Sequence, residues 1–329
     1  MPSPSASAIA NAAPAHSSRL RAVRIVLAAP RGFCAGVTRA IDAVEGALRR
    51  FGAPVYVRRP IVHNRVVMRR LEALGAVFVE EVDDVPEGAV LILSAHGVSR
   101  DVAFAAHERK LRVFDAICPL VDKVHREVNR HHKEGRHIIL IGHSGHPEID
   151  GTLGQLPSGA AEVIATANEV DHLCDRVIRP LAYAVQTTFA VEEARQIVDA
   201  LKARFPHIVG PQGSDICYAT TNRQSAVRAI ARDVDAFIIV GESFSSNARR
   251  LAEVAEAEGC TNIQLIAGLS DLDFARLDAS EAIGITAAAS TPAQSVSEVI
   301  EGLGRVFDIS MQQVGDQEEG VSFRQVALC

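Results

Sequence analysis

The feature that most limits how this chain can fold is a threefold repeat of spacing. Three cysteines, Cys34 in RGFC, Cys118 in DAIC and Cys217 in DIC, each stand just ahead of a helical stretch. Each helix leads to a short apolar strand that ends in a polar loop. That loop falls at His63, His146 and Ser245, about 28 residues after its cysteine each time. A second strand-end loop follows at His96, Thr187 and Ser290. Strands alternating with amphipathic helices predict an α/β fold with mostly parallel strands.

The candidate strands are Val23–Ala28, Val55–Val57, Ala76–Val79, Val90–Leu93, Ile138–Ile141, Val163–Ala165, Leu181–Val185, Phe237–Val240, Ile263–Ile266 and Ile283–Thr286. They are short and aliphatic, as strands covered on both faces are. Val37, Ile41, Val44 and Leu48 share one helical face, as do Val227, Ile230 and Val234. In open α/β sheets ligands collect beyond the carboxyl ends of the strands, where all six polar loops fall. Three such units facing inward would bring three thiols to one point and ring it with His, Ser, Thr and Asn. The plainer alternative is that three repeats share a loop length for packing reasons alone.

Composition removes several function classes. A net charge of −6 over 329 residues argues against a nucleic-acid footprint. No apolar run approaches the ~20 residues of a membrane-spanning helix, so a soluble, cytoplasmic protein is expected. Six cysteines in a chain of this length do not make a disulfide framework, and the absence of any CxxC pair removes the usual zinc knuckles and redox motifs. There is no Walker A or GxGxxG signature for a nucleotide. Residues 1–21, rich in Ala, Ser and Pro, read as a disordered leader; an organelle transit peptide fits less well, because basic residues begin only at Arg19. The segment from about Phe307, with its GDQEEG run, reads as a polar tail.

Three thiolates from distant segments suit an iron–sulfur cluster. With three ligands, one iron of a [4Fe–4S] cube would lack a protein ligand and could meet a substrate as a Lewis acid. A single Cys is more often a small buried hydrophobe; it is the equivalent positions of Cys34, Cys118 and Cys217 that set them apart. Cys174, Cys260 and Cys329 have no such setting and read as bystanders. His63, His96 and His146, with Ser245, Ser246, Asn247 and Ser290, offer many donors and little net charge, which suits an anion such as a diphosphate. His131, His132 and His137 read instead as a solvated helix end. Glu148 lies in the same loop as His146 and could deliver protons, with Thr187 as a hydroxyl partner. On spacing alone, a surface glutamate making a turn is the plainer reading of it.

APRGFCAGV, IVHN, SAHGV, CPLV followed by KVH, GHSGHPE, GTLGQ, QTT, GSDICYATTNRQ and SSN closely resemble the 4-hydroxy-3-methylbut-2-enyl diphosphate reductase family, from about Val23 to Val306. The resemblance implies three similar α/β domains in a pseudo-threefold trefoil around a central iron–sulfur cluster. The expected domains are 22–35 with 214–305, 36–118 and 119–213, ahead of a tail over 306–329. It implies that Cys34, Cys118 and Cys217 hold a [4Fe–4S] cluster. By the same resemblance His63, His96, His146, Ser245, Ser246, Asn247 and Ser290 bind a diphosphate, Glu148 delivers protons and Thr187 contacts substrate. The implied reaction is reductive dehydroxylation of an allylic diphosphate to isopentenyl and dimethylallyl diphosphates, in the last step of the non-mevalonate isoprenoid pathway. Single electrons would come from a ferredoxin, a flavodoxin or a similar partner.

Several positions depart from the family pattern. GESFSSN stands where GSKNSSN is common, which puts Glu242 and Phe244 near the expected phosphate site and suggests weaker anion binding. Val185, Ile117 and the AASTP around Ser290 are further changes, and none removes a matched residue. Two rival readings remain open at this point. One is a hydratase or dehydratase that uses an open iron without net electron transfer; the other is a cluster-based sensor that catalyses nothing.

Overall fold

The computed structural model describes residues 20–173 and 180–328. The expected leader thus lies outside the described residues up to position 19, as do Cys174 and Cys329, and Arg21 already opens the first strand. The chain runs β1 (Arg21–Ala28), α1 (Ala35–Phe51), β2 (Val55–Arg58), α2 (Arg65–Ala73), β3 (Ala76–Val79), β4 (Val90–Leu93), α3 (Arg100–Glu108) and β5 (Arg112–Asp115). It continues through α4 (Pro119–Lys133), β6 (His137–Ile141), α5 (Pro147–Leu153), β7 (Ala161–Ile164), β8 (Leu181–Val185) and α6 (Val191–Arg204). The last part is α7 (Tyr218–Ile230), β9 (Ala236–Val240), α8 (Ser246–Ala257), β10 (Ile263–Ile266), β11 (Ala282–Ala287), α9 (Ala293–Gly304) and β12 (Phe307–Val314). No helix among the described residues is long and apolar enough to cross a membrane.

These strands make three separate sheets, ordered β10-β9-β11-β1-β12, β3-β2-β4-β5 and β7-β6-β8, and every pairing between them is parallel. Parallel pairing demands a crossover between neighbours, and the helices supply it while covering the sheet faces. The central strands are therefore buried along their whole length: β6, β9 and β11 expose no residue. The Ile, Val and Ala side chains of β9 and β11 fill separate cores on the two faces of the largest sheet. Parallel strands also have a common end. Their carboxyl ends hand the chain to the loops that carry Cys34, His63, His96, Cys118, His146, Thr187, Ser245 and Ser290, and the three sheets point these ends at one another. The α/β units that the spacing described are thus arranged as the trefoil that the family resemblance implied.

Each of the ten expected strands overlaps an observed one, and two strands were not foreseen. Both missed strands are sheet edges. β5 carries charge at both ends, and most of β12 faces outward. An edge strand has one free side and less need of an apolar run, so composition hides it. The stretch from 306 is accordingly not a tail in its first half: β12 pairs with β1 in register over eight residues, from Arg21 opposite Phe307 to Ala28 opposite Val314. His131 and His137 also depart from expectation, since both are buried. His131 lies on the inward face of α4 between the Arg130 and Arg136 guanidinium groups, and His137 opens the central strand of its sheet.

Phe307 anchors the unforeseen strand: it is 3 % exposed, belongs to the largest core and carries the Arg21 guanidinium 4.8 Å above its ring. Replacing it with Ala is expected to cost about 3–5 kcal/mol, the usual range for a buried aromatic, whereas a true surface tail would register within about 0.5 kcal/mol. Urea unfolding of Phe307→Ala beside the parent measures which.

Candidate active site

Each of the three cysteines is the residue just before a helix, with extended backbone: Cys34 before α1, Cys118 before α4 and Cys217 before α7. Small or helix-starting residues follow them, Ala35-Gly36 and Pro119 among them, so the helix begins at once. Each cysteine is also tied backward. Its backbone N–H donates to a carbonyl in another strand-end loop: Cys34 to Ala289 at 3.2 Å, Cys118 to Ala95 at 3.0 Å, Cys217 to Thr187 at 3.0 Å. Ala289 and Ala95 precede Ser290 and His96, so the repeat in the sequence is repeated as a hydrogen bond. The three thiols thereby line one cavity at the amino ends of three helices.

Burial pushes the Cys118 thiol up to about 11 and Cys217 up to about 12, although backbone N–H groups of Leu120 and Val121, and the Thr220 side chain and N–H, pull the other way. The Cys217 sulfur lies 3.1 Å from Thr220 Oγ1 and accepts the Thr220 N–H at 3.3 Å. A buried thiol of this kind ionises only when a cation compensates it, and bound metal does that. Among the described residues no three His, Cys, Asp or Glu side chains close on a point tight enough for a single metal ion. Three sulfurs spread around a cavity with apolar walls fit a larger, soft, multi-iron group better than one ion.

The histidines form the opposite wall. Ring centroids lie 4.4 Å apart for His63 and His96, 5.8 Å for His63 and His146, and 6.1 Å for His96 and His146. Burial, with a smaller contribution from the Arg249 charge, lowers His63 to about 4. Burial and then the charges of His63, His143 and Arg249 lower His146 to about 3. His96 is held well below its ordinary value by burial and then by its two histidine neighbours and Arg59. All three are neutral near pH 7. His146 Nδ1 accepts the Glu148 N–H at 3.2 Å, so its ring proton sits on Nε2.

That Nε2 is buried with no partner, as are His63 Nε2 and Asn247 Nδ2, while Asn247 Oδ1 accepts the Ala289 N–H at 2.8 Å. Leaving a buried donor unmade costs roughly 1–3 kcal/mol each. Ser245 caps α8, Ser246 Oγ accepts from Thr188 Oγ1 at 3.2 Å, and Ser290 Oγ donates to the His63 carbonyl at 3.1 Å. Unsatisfied neutral donors beside a helix N-terminus are the chemistry of an anion site.

Glu148 is not a surface glutamate. It is 2 % exposed, its Oε1 accepts the Thr187 N–H at 2.6 Å, and its Oε2 lies 2.8 Å from Thr187 Oγ1. Burial raises it to about 7 against the pull of both Thr187 bonds, with Asp215 adding to the rise. The turn reading of its spacing failed because spacing says nothing about depth: the residue after Pro147 faces inward on the first turn of α5.

The structure brings all twelve sequence-derived residues to this one cavity. Glu242, expected to disturb the anion, faces elsewhere. Its carboxylate is 3 % exposed, accepts the Arg65 N–H at 3.0 Å and pairs with the Arg65 guanidinium at 3.7 Å, which caps α2. Phe244 packs edge-on against His63 at 5.9 Å, beneath Arg65. Other lining residues were not foreseen, Tyr218 and Phe323 among them. Tyr218, whose hydroxyl accepts the Ala35 N–H at 3.1 Å, was readable as the neighbour of Cys217. Phe323 comes from the segment beyond β12 and had no signal at all.

Residues 25–304 match the family model described as LytB protein. The chain belongs to the LytB protein family. Relatives from Beijerinckia indica subsp. indica and Gluconobacter oxydans, both named 4-hydroxy-3-methylbut-2-enyl diphosphate reductase, are each 50 % identical to this LytB chain. The first match covers 92 % of this chain and 95 % of the relative, the second 92 % of each. A solved reductase from Plasmodium falciparum superposes with a TM-score of 0.86 at 38 % identity, covering 93 % of this chain and 96 % of that one. A second, the terminal enzyme of the non-mevalonate pathway, gives 0.62 at 31 % identity over 86 % of this chain and all of that one.

Gly36 tests how tightly the LytB thiols are packed. A Cβ there would lie 2.8 Å from Cys118 Sγ and 3.8 Å from Cys34 Sγ. Gly36→Ala is expected to destabilise the metal-free protein by about 1–3 kcal/mol, from overpacking. An ordinary helix position would instead gain up to about 1 kcal/mol from the same change. Thermal unfolding distinguishes the two signs.

Proposed function

We propose that this chain is an oxidoreductase that reduces 4-hydroxy-3-methylbut-2-enyl diphosphate, replacing its allylic C–O bond by C–H. Two electrons and two protons enter, and water and a mixture of isopentenyl and dimethylallyl diphosphates leave. The observation that carries this reading is the meeting, in one cavity, of three thiols at the starts of three helices with buried neutral polar groups that lack a partner. The names of its relatives at half identity point to the same substrate.

Cys34, Cys118 and Cys217 would hold a [4Fe–4S] cluster, which when bound supplies electrons one at a time and a Lewis-acidic iron without a protein ligand. The diphosphate would lie against His63, His96, His146, Asn247 and Ser290, with Ser245 and Ser246 at the start of α8. Neutral rings suit it, because a donor that carries no charge holds the anion without trapping the product diphosphate as tightly. Glu148 would supply a proton through Thr187. When its Oε2 is protonated it donates to Thr187 Oγ1, whose own hydrogen then turns toward the cavity; once ionised, the carboxylate is held by the Thr187 N–H and hydroxyl. Single electrons call for a one-electron carrier such as a ferredoxin or flavodoxin.

Anaerobic reconstitution should give a brown protein whose Mössbauer spectrum shows four irons, one of them distinct. Cys34→Ser, Cys118→Ser or Cys217→Ser should lose cluster or activity, while Cys260→Ser keeps both. A fully active Cys118→Ser protein would sink the assignment, and turnover with no reductant present would favour a redox-silent reaction instead.

A proton donor must be protonated to act. Glu148, at about 7, loses its proton as pH rises, so turnover should fall above neutrality. Glu148→Gln should lower turnover by roughly 10²–10⁴-fold with cluster content unchanged, and should abolish that descending limb. A near-parental rate with the limb intact would pass the donor role to another group, His146 first.

A further inference from the structure

The chain beyond β12 does not leave the molecule. It turns at Gly315, whose φ of +88° favours glycine and where a Cβ would collide with the Ala29 carbonyl. It then runs back across the loop that leads to Cys34. Gln317 takes the Arg31 backbone from both sides, donating to its carbonyl at 2.6 Å and accepting its N–H at 3.3 Å. Glu319 meets Arg223 in a two-toothed pair at 3.2 and 3.1 Å and accepts a third bond from Asn222 at 2.9 Å. Arg223 is fully buried, and it also donates to the Gly32 carbonyl at 2.7 Å and the Ala219 carbonyl at 3.0 Å. One guanidinium thus joins the approach to Cys34, the first turn after Cys217 and the segment beyond β12.

Farther along, the Arg324 carbonyl accepts from Arg39 at 2.9 Å, Gln325 donates to Asp42 at 3.1 Å, and Val326 and Leu328 pack on the core beneath α1. Between these anchors Phe323 turns inward. A second cavity, on the outer side of Cys34, is lined by polar groups including Thr38, Arg39, Gln317 and Gln325. The two cavities share Cys34, Tyr218 and Phe323; Cys118 and Cys217 line the first alone.

We infer that residues 315–328 form a strap that closes the Cys34 side of the active cavity, with Phe323 as the partition between the two cavities and the Glu319–Arg223 pair as its latch. This deepens the reading above, for which the three cysteines are cluster ligands; the strap would keep solvent in the outer cavity from Cys118 and Cys217, while Cys34 faces both cavities. The energetics favour a latch that stays shut, since opening it strands a fully buried guanidinium, and breaking such a pair on one side is strongly unfavourable.

The test uses the full-length, metal-free, reduced protein, alkylated with iodoacetamide and read cysteine by cysteine by peptide mass spectrometry. Phe323→Ala should raise the rate at Cys118 tenfold or more relative to Cys34, which already faces the outer cavity, with Cys260 still protected. Glu319→Gln should raise the same ratio and speed amide exchange over 317–326. A Cys118 to Cys34 ratio within twofold of the parent, in whichever of these variants keeps Cys260 protected, overturns the strap. Because no metal is present, the result is independent of the cluster assignment, whose own failure would appear as lack of iron uptake by the parent protein.

Discussion

Three backbone hydrogen bonds set the arrangement on which everything else depends. Each cysteine N–H hangs from a carbonyl in a strand-end loop, Ala289, Ala95 or Thr187, so the thiols are positioned by the carboxyl ends of β11, β4 and β8. Those carbonyls are in place only because the strands before them are parallel and end together. Parallel pairing in turn requires the crossover helices, and the helices start at the cysteines. At Cys34 and Cys118 the same short segment therefore finishes one strand, supplies a thiol and opens the next helix, whereas Cys217 follows α6.

Burial acts on the cavity's histidines and on Glu148, and its sign differs by chemistry. It drives the imidazoles of His63 and His146 down and the carboxyl of Glu148 up, so both kinds of group are pushed toward neutrality. The cavity is consequently rich in donors and poor in charge. Positive potential comes from outside it, from Arg249 behind His63 and His146 and from the start of α8. Glu242, which seemed from its position to oppose that potential, is spent on Arg65 and the start of α2.

Much of this was legible in the sequence because it rests on spacing. The distances from Cys34, Cys118 and Cys217 to their polar loops are a direct record of helix plus strand length, and the aliphatic runs of β6, β9 and β11 mark strands covered on both faces. What spacing cannot record is depth or a partner far along the chain. Glu148 reads like any turn glutamate until α5 is folded against Thr187. His131 reads as solvated because its neighbours are charged. β12 and Phe323 were invisible for a related reason: an edge strand and a strap owe their places to residues already assembled, Arg21 and Arg223 among them, and their own sequence needs little apolar content.

The pairing of β1 with β11 and β12 has a consequence for how the molecule is made. The first strand to leave the ribosome belongs to the sheet completed last, since both of its neighbours are synthesised near the end of the chain. The four-stranded and three-stranded sheets draw only on neighbouring segments and can form during translation. The largest sheet has by contrast a very high contact order, and its closure waits for nearly the whole chain. Cys34 shares that delay, because the Ala289 carbonyl that positions it emerges after every other part of the thiol site. Until then the nascent chain holds two thiol arms in place and one unattached, so the three-thiol arrangement is complete only after synthesis is almost done.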